Sequence, residues 1–125
     1  MEKDSQVKLI QAIEKASIDW QLAFNTGDAD ACANHYEHNA VMHADPFGTF
    51  TGKEAIKEFW QHLIDDGFAE VRYIEPTILP IDSASGLLTA KWTMNNAHGL
   101  ITKELWVLQE DGSAKLREDH FEAQS

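Results

Sequence analysis

Apolar side chains recur at helical spacing from about Ser5 to Thr26. Ile10, Ile13, Trp20 and Phe24 form the stripe, and Leu9, Ala16 and Ala23 widen it. Asp4 or Ser5 is placed to cap the start, and Gly27 to supply the left-handed residue that ends the helix. Asp28 reads as the N-cap of a second, short helix through about Tyr36. Ser17 interrupts the stripe one turn before Trp20, where its hydroxyl either faces a cavity or bonds its own helix backbone. The period then changes from 3.6 to two. Val41, His43 and Asp45 fall on one face of a strand that ends at Pro46, which has no ladder donor and restricts the residue before it. Thr51-Gly52-Lys53-Glu54 has the form of a capping box and predicts a helix with Ile56, Phe59, Trp60, Leu63 and Ile64 on one side, closed by Asp66-Gly67.

Four strands follow, over Phe68–Asp82, Leu87–Asn96, Leu100–Gln109 and Ala114–Glu122. The intervening stretches, Ser83 to Gly86, Asn96 to Gly99 and Glu110 to Gly112, have turn-forming compositions. Pro76 and Pro80 mark the first of these strands as kinked or at an edge. Three helices with one strand among them, then a four-strand meander, predict an α+β fold: a curved antiparallel sheet covered by three N-terminal helices. Curling of that sheet encloses a cone-shaped cavity suited to a small ligand.

The 125 residues are expected to form a single domain, with no repeat, linker or low-complexity segment. A formal net charge of −11 argues against nucleic acid and anionic membranes as partners, because phosphate contacts need clustered Lys and Arg. Cys32, the one cysteine, excludes an intrachain disulfide and reads as a small buried side chain. The start, MEKDSQVK, lacks the apolar core of a signal peptide, and no apolar run reaches the length of a membrane span, so the expectation is a soluble cytoplasmic protein.

The stretch Phe24-Asn25-Thr26-Gly27-Asp28, the spacing to Asp45-Pro46-Phe47-Gly48, the Thr51-Gly52 cap with its helix, and the final meander resemble the nuclear-transport-factor-2-like superfamily. Within it the chain is most similar to the ketosteroid isomerase and SnoaL-like branch. The resemblance covers nearly the whole chain and implies a cone-shaped α+β domain, commonly dimeric. It places Asp45 at the general base of ketosteroid isomerases and Glu104 at their protonated oxyanion-holding acid. Their oxyanion tyrosine falls at Trp20, a departure that leaves one N–H donor and no acceptor. It also favours Asp119 and Phe121 facing inward, where the alternation alone leaves the parity of the last strand open.

The residues themselves carry a related chemistry. A base at Asp45 needs desolvation, which Phe47, Phe59 and Trp60 are near enough in sequence to supply; the alternative is a structural acid at a strand end. His43, on the same face, either tunes Asp45, acts as a second acid or base, or is a hydrogen-bonded interior histidine. Glu104 shares a strand face with Thr102 and Trp106, and burial there requires it to be neutral or paired. Trp92, Met94 and Asn96 alternate toward the same concavity. With Trp20, Phe24, Phe59 and Trp106, and with Asp119 and Phe121, they make the expected substrate wall. No histidine spacing matches a zinc motif and no phosphate loop is present, so neither metal nor cofactor is expected. Two functions are open: a cofactor-independent proton-transfer enzyme with Asp45 as base acting on a small, mostly apolar carbonyl compound, or a non-catalytic small-ligand or dimeric assembly module.

Overall fold

The first helix, α1 (Lys3–Asn25), buries Leu9, Ile13, Trp20 and Phe24 and already includes Asp4 and Ser5, the residues expected to cap it. Gly27, at φ 77°, turns the chain out of it while the Asp28 N–H donates to the Ala23 carbonyl at 2.9 Å. The chain is seen here in a computed structural model that describes residues 3–124; Met1, Glu2 and Ser125, the ends of the expected single domain, lie outside the described residues.

The short helix α2 (Ala29–Ala33) is capped by Asp28, whose Oδ1 accepts from the Ala31 N–H at 3.0 Å. It stops three residues before the expected Tyr36. The Leu116 N–H donates to the His35 carbonyl at 2.7 Å, and Tyr36 opens strand β1 (Tyr36–Asp45) against the last strand. A four-residue strand β2 (Gly48–Thr51) folds back on β1 and leads into α3 (Lys53–Asp65). The capping box is not formed: Thr51 belongs to β2, Gly52 is the N-cap at φ 92°, and no side chain bonds the cap.

Strands β3 (Arg72–Pro80), β4 (Ser85–Thr93), β5 (His98–Leu108) and β6 (Ala114–Gln124) form the meander. The six strands are ordered β2-β1-β6-β5-β4-β3 in a curved, unclosed sheet. It is mixed rather than wholly antiparallel, because β1 lies parallel to β6. β3 is both an edge strand and irregular, its register shifting between Ile74 and Thr77 around Pro76. Two amide side chains of α1 hold its start. Asn25 accepts from the Val71 N–H at 2.6 Å and donates to its carbonyl at 3.0 Å, and Gln21 accepts from the Tyr73 N–H at 3.1 Å. Gln21 also donates to the buried Ser17 hydroxyl at 3.3 Å, so Ser17 faces packed protein rather than an open cavity.

Register shifts set which side chains face the helices. Between Ile101 and Lys103 the β5 pairing with β6 slips, so Ile101, Glu104 and Trp106 point inward while Thr102 is exposed, against the expected shared face. On β6, Arg117 is the extra residue between Leu116 and Glu118; its guanidinium bonds Glu37 of β1 at 2.7 and 3.2 Å. Ala114 and Leu116 therefore face inward on one parity, and Asp119 and Phe121 on the other.

Gly99 marks the tightest approach. A methyl group there would run into the Glu122 carbonyl of β6 and lie 2.7 Å from the Trp92 indole, whereas at Gly86 it would meet the flexible tip of Ile13 at 2.8 Å. Gly99→Ala is expected to lower stability in urea unfolding by about 3 kcal/mol and Gly86→Ala by less than about 1.5 kcal/mol. Equal losses would show that the backbone contact is not what limits the site.

Candidate functional site

Inside the concave face two carboxyl groups lie opposite each other on adjacent strands. Glu104 of β5 and Asp119 of β6 are directly paired in register and are 2% and 3% exposed. Directly opposed positions hold their Cβ atoms about 4.5–5.5 Å apart. Tyr73 Oη donates to Glu104 Oε2 at 2.8 Å, and Trp106 Nε1 donates to Oε1 at 2.9 Å. Tyr36 Oη donates to Asp119 Oδ2 at 2.7 Å and itself accepts from Trp60 Nε1 at 3.3 Å.

Burial is the first cause that raises both carboxyls above their ordinary range; at Glu104 the Asp119 charge adds to it and the Tyr73 and Trp106 bonds oppose it. The two titrate as a pair that holds a proton well above the usual carboxylate range. Burial, then the neighbouring carboxyl charge, pushes Tyr36 and Tyr73 well above the ordinary phenol range, which keeps both as neutral donors.

The pair forms part of the wall of an aromatic hollow. Trp20, Trp60, Tyr73, Trp92 and Phe121 supply rings, with Val71, Met94 and Ile101 between them. Trp20 meets Trp60 edge-on at 4.9 Å, and Phe121 stacks on Trp60 at 5.6 Å. The free volume is about 20 Å³, room for about one water. Three buried polar atoms of the wall residues have no hydrogen-bond partner among the described residues: Trp20 Nε1, Trp92 Nε1 and Asp119 Oδ1.

The sequence-predicted residues divide. Trp20, Trp92, Met94, Glu104, Asp119 and Phe121 come together at the hollow. Phe24, Phe59 and Trp106 are buried one layer behind its wall, Trp106 reaching it through Glu104. Asn96 is exposed in the β4–β5 turn. Asp45 and His43 are corrected most. On β1 the inward positions are Tyr36, Ala40, Met42 and Ala44, so Val41, His43 and Asp45 face outward. Asp45 is exposed, and Phe47, expected to desolvate it, is itself 56% exposed. His43 stacks on His120 at 4.2 Å, with Nδ1 3.1 Å from Thr49 Oγ1. Glu104 and Asp45 thus lie on opposite faces of the sheet. Among the described residues no cluster of His, Cys, Asp and Glu is arranged to hold a metal ion, and no helix is long and apolar enough to cross a membrane.

Tyr36, Trp60 and Tyr73 were not singled out from sequence as site residues. The chain has two tyrosines, and each donates to one buried acid, so asking which hydroxyls could satisfy Glu104 and Asp119 would have found both.

A curved, unclosed sheet with its helices packed on one face is the architecture of the nuclear-transport-factor-2-like fold. The chain belongs to the SnoaL-like domain family, whose profile matches residues 18–106. No curated protein matches the chain by sequence. Among solved structures it is similar to a candidate scytalone dehydratase from Novosphingobium aromaticivorans, at 13% identity and TM-score 0.85, covering 99% of this chain and 89% of that one. It is also similar to a ketosteroid isomerase-like protein from Erwinia carotovora atroseptica (16% identity, TM-score 0.77, covering 92% and 95%). LinA matches at 14% identity and TM-score 0.80, covering 100% and 92%. At these identities the likeness is one of fold.

The raised carboxyls fix the sign of one pH effect. The folded chain holds its protons after the unfolded chain has released them, so their contribution is complete below pH about 4 and is lost as pH rises through neutrality. Asp119→Asn, isosteric with the protonated acid, is expected to match the native chain near pH 4 and exceed it by about 1–3 kcal/mol near pH 8. Chemical denaturation across that range is the check; a gap that narrows with rising pH would reverse the assignment.

Proposed function

We propose that the chain is a small-molecule enzyme that moves a proton on a small, mostly apolar carbonyl-type substrate, with the Glu104–Asp119 pair as the proton carrier. The observation that carries this reading is the pairing of two buried acids in one aromatic hollow, one acid with an oxygen that has no partner among the described residues. A carboxyl pair that retains a proton toward neutrality offers an acid and a base in the same site, which is the requirement for taking a proton from carbon while steadying the adjacent oxygen. The fold is shared with enzyme-named relatives, a scytalone dehydratase candidate and a ketosteroid isomerase-like protein among them. Asp45, outside the hollow, has no part in this chemistry.

The test follows exchange of α-hydrogens for deuterium in a panel of small cyclic ketones and enones by NMR. Exchange above the buffer rate is expected, falling about 10²–10⁴-fold in Asp119→Asn or Glu104→Gln and unchanged in Asp45→Asn. Loss in Asp45→Asn alone would return the base to the outer strand end. The small free volume favours a second reading, a non-catalytic ligand-binding module, since a substrate larger than water must displace part of the wall. Saturable binding of the same ketones with no exchange would select it.

A homodimer through the outer sheet face is part of the proposal. Ile74, Thr89, Lys91 and Leu100 form a shallow concavity there. Light scattering is expected to give a dimer mass that Leu100→Glu halves; a monomer in the native protein would end this part of the reading.

A further inference from the structure

The hollow holds about one water, so a larger molecule enters only where part of the wall gives way. Most of its lining is buried; Tyr73, Met94 and Phe121 are half-buried and mark the side nearest solvent. Two surface stretches lead to that side. The connection from α3 to β3, residues 66–70, delivers Val71 and Tyr73, and the β4–β5 turn begins with Met94. One residue joins the two stretches. The Asn95 N–H donates to the Ala69 carbonyl at 3.1 Å. Its Oδ1 accepts from the Ala69 N–H at 3.1 Å, and its Nδ2 donates to the Gly67 carbonyl at 2.9 Å. Both backbone polar groups of Ala69 are therefore spent on Asn95. Either side of Ala69 and Glu70 the chain is anchored elsewhere. The Phe68 N–H donates to the Leu63 carbonyl of α3 at 3.0 Å, and Asn25 of α1 bonds both backbone groups of Val71. Glu70 itself sits at φ 62°, a left-handed conformation that a glutamate keeps only under constraint. The Asn95 side-chain bonds that supply the constraint are exposed to solvent, where hydrogen bonds open most readily.

We propose that Asn95 is the latch of a gate to the hollow. When its bonds to Gly67 and Ala69 open, Glu70 relaxes from the left-handed conformation and the Ala69–Glu70 arch swings away from the β4–β5 turn. The hollow then opens beside Val71, Tyr73 and Met94. This rests on the reading of the hollow as a small-molecule site and adds the route by which the molecule enters. An asparagine suits the place because its amide offers an acceptor to the Ala69 N–H and a donor to the Gly67 carbonyl from one flat group. The motion stays local. Asn25 and Gln21 keep hold of Val71 and Tyr73 from α1, so Tyr73 retains its bond to Glu104 while the arch moves. The gate thereby admits a molecule without dismantling the donors of the carboxyl pair.

Exchange of the indole N–H groups with deuterated water, followed by NMR, tests the gate with no ligand at all. Trp20 Nε1 and Trp92 Nε1 are buried at the hollow without a partner among the described residues, so their exchange waits on entry of water. Trp60 Nε1 and Trp106 Nε1 are hydrogen-bonded and serve as controls in the same spectrum. In Asn95→Ala the Trp20 and Trp92 signals are expected to exchange about 10-fold faster, from the loss of two side-chain hydrogen bonds, with Trp60 and Trp106 little changed. Glu70→Asn, which takes the left-handed conformation more readily, is expected to slow Trp20 and Trp92 by about 3-fold. Asp111→Ala removes two comparable bonds, to the Ser113 N–H and hydroxyl, from the turn at the other end of β5. It is expected to leave the order of the four indoles unaltered. No acceleration in Asn95→Ala, equal acceleration of all four indoles, or selective acceleration in Asp111→Ala overturns the gate. A rate in Glu70→Asn that is unchanged or higher overturns the hinge at Glu70. Selective indole exchange without exchange of ketone α-hydrogens would leave the gate standing and end the catalytic reading; equal acceleration of the indoles beside catalysed ketone exchange would do the reverse.

Discussion

Two carboxyl groups buried side by side impose the constraint that organises this molecule. An isolated buried carboxylate is expensive, and two together more so, unless each finds donors and the pair keeps a proton. The donors come from parts of the chain far apart in sequence: Tyr36 from the first strand, Tyr73 from the fourth-last, Trp106 from the strand of Glu104 itself, and Trp60, by way of Tyr36, from α3. Satisfying the acids therefore requires β1 to lie beside β6, β3 to be held against α1, and α3 to pack on β1 and β2. The Asn25 and Gln21 bonds to β3 serve that requirement, because they fix the strand that delivers Tyr73.

The same constraint explains the irregularities of the sheet. A strictly alternating β6 would put either Leu116 or Asp119 on the inner face, not both. Inserting Arg117 as an extra residue lets the strand bury Leu116 under the helices and then present Asp119 to the hollow. The long Arg117 side chain is held outside by Glu37, whose carboxyl the guanidinium keeps below its ordinary range. On β5 the slip near Thr102 keeps Ile101 and Glu104 on one face although they are three residues apart.

This locates the boundary of what the sequence could tell. Helix and strand types follow from periodicity over long stretches, and the α1 stripe, the four-strand meander and the order of elements other than the four-residue β2 were legible for that reason. Glu104 was legible as a carboxyl that needs pairing, because Trp106 shares its parity: the register shift between Leu105 and Trp106 puts its extra residue on β6 and leaves the alternation of β5 intact. Asp45 was misplaced for a specific reason. Alternation grouped it correctly with Val41 and His43, but which face of β1 turns inward depends on its parallel pairing with β6, a contact nearly eighty residues away. Tyr36 was hidden by the same contact, which ends α2 early and makes a strand of what local signals extend as helix. Bulges have no period of their own, so Asp119 stayed undecided until the register of its neighbour was known.

Asp45, which the sequence resemblance puts at a general base, lies outside the hollow, while the inner face carries an acid from the last strand. That arrangement follows from how such a sheet assigns roles. Its curvature and helices create one enclosed end, and any inward residue near that end can reach a ligand, whichever strand supplies it. A one-residue bulge moves a carboxyl from one face to the other at a local cost, without changing the order of strands or the packing of the helices. Which carboxyls face the hollow is therefore set by the register of a few strand positions more than by a motif along the chain. In this protein the register of β5 and β6 brings together Glu104 and Asp119, and the aromatic wall around them leaves three polar atoms with no partner among the described residues.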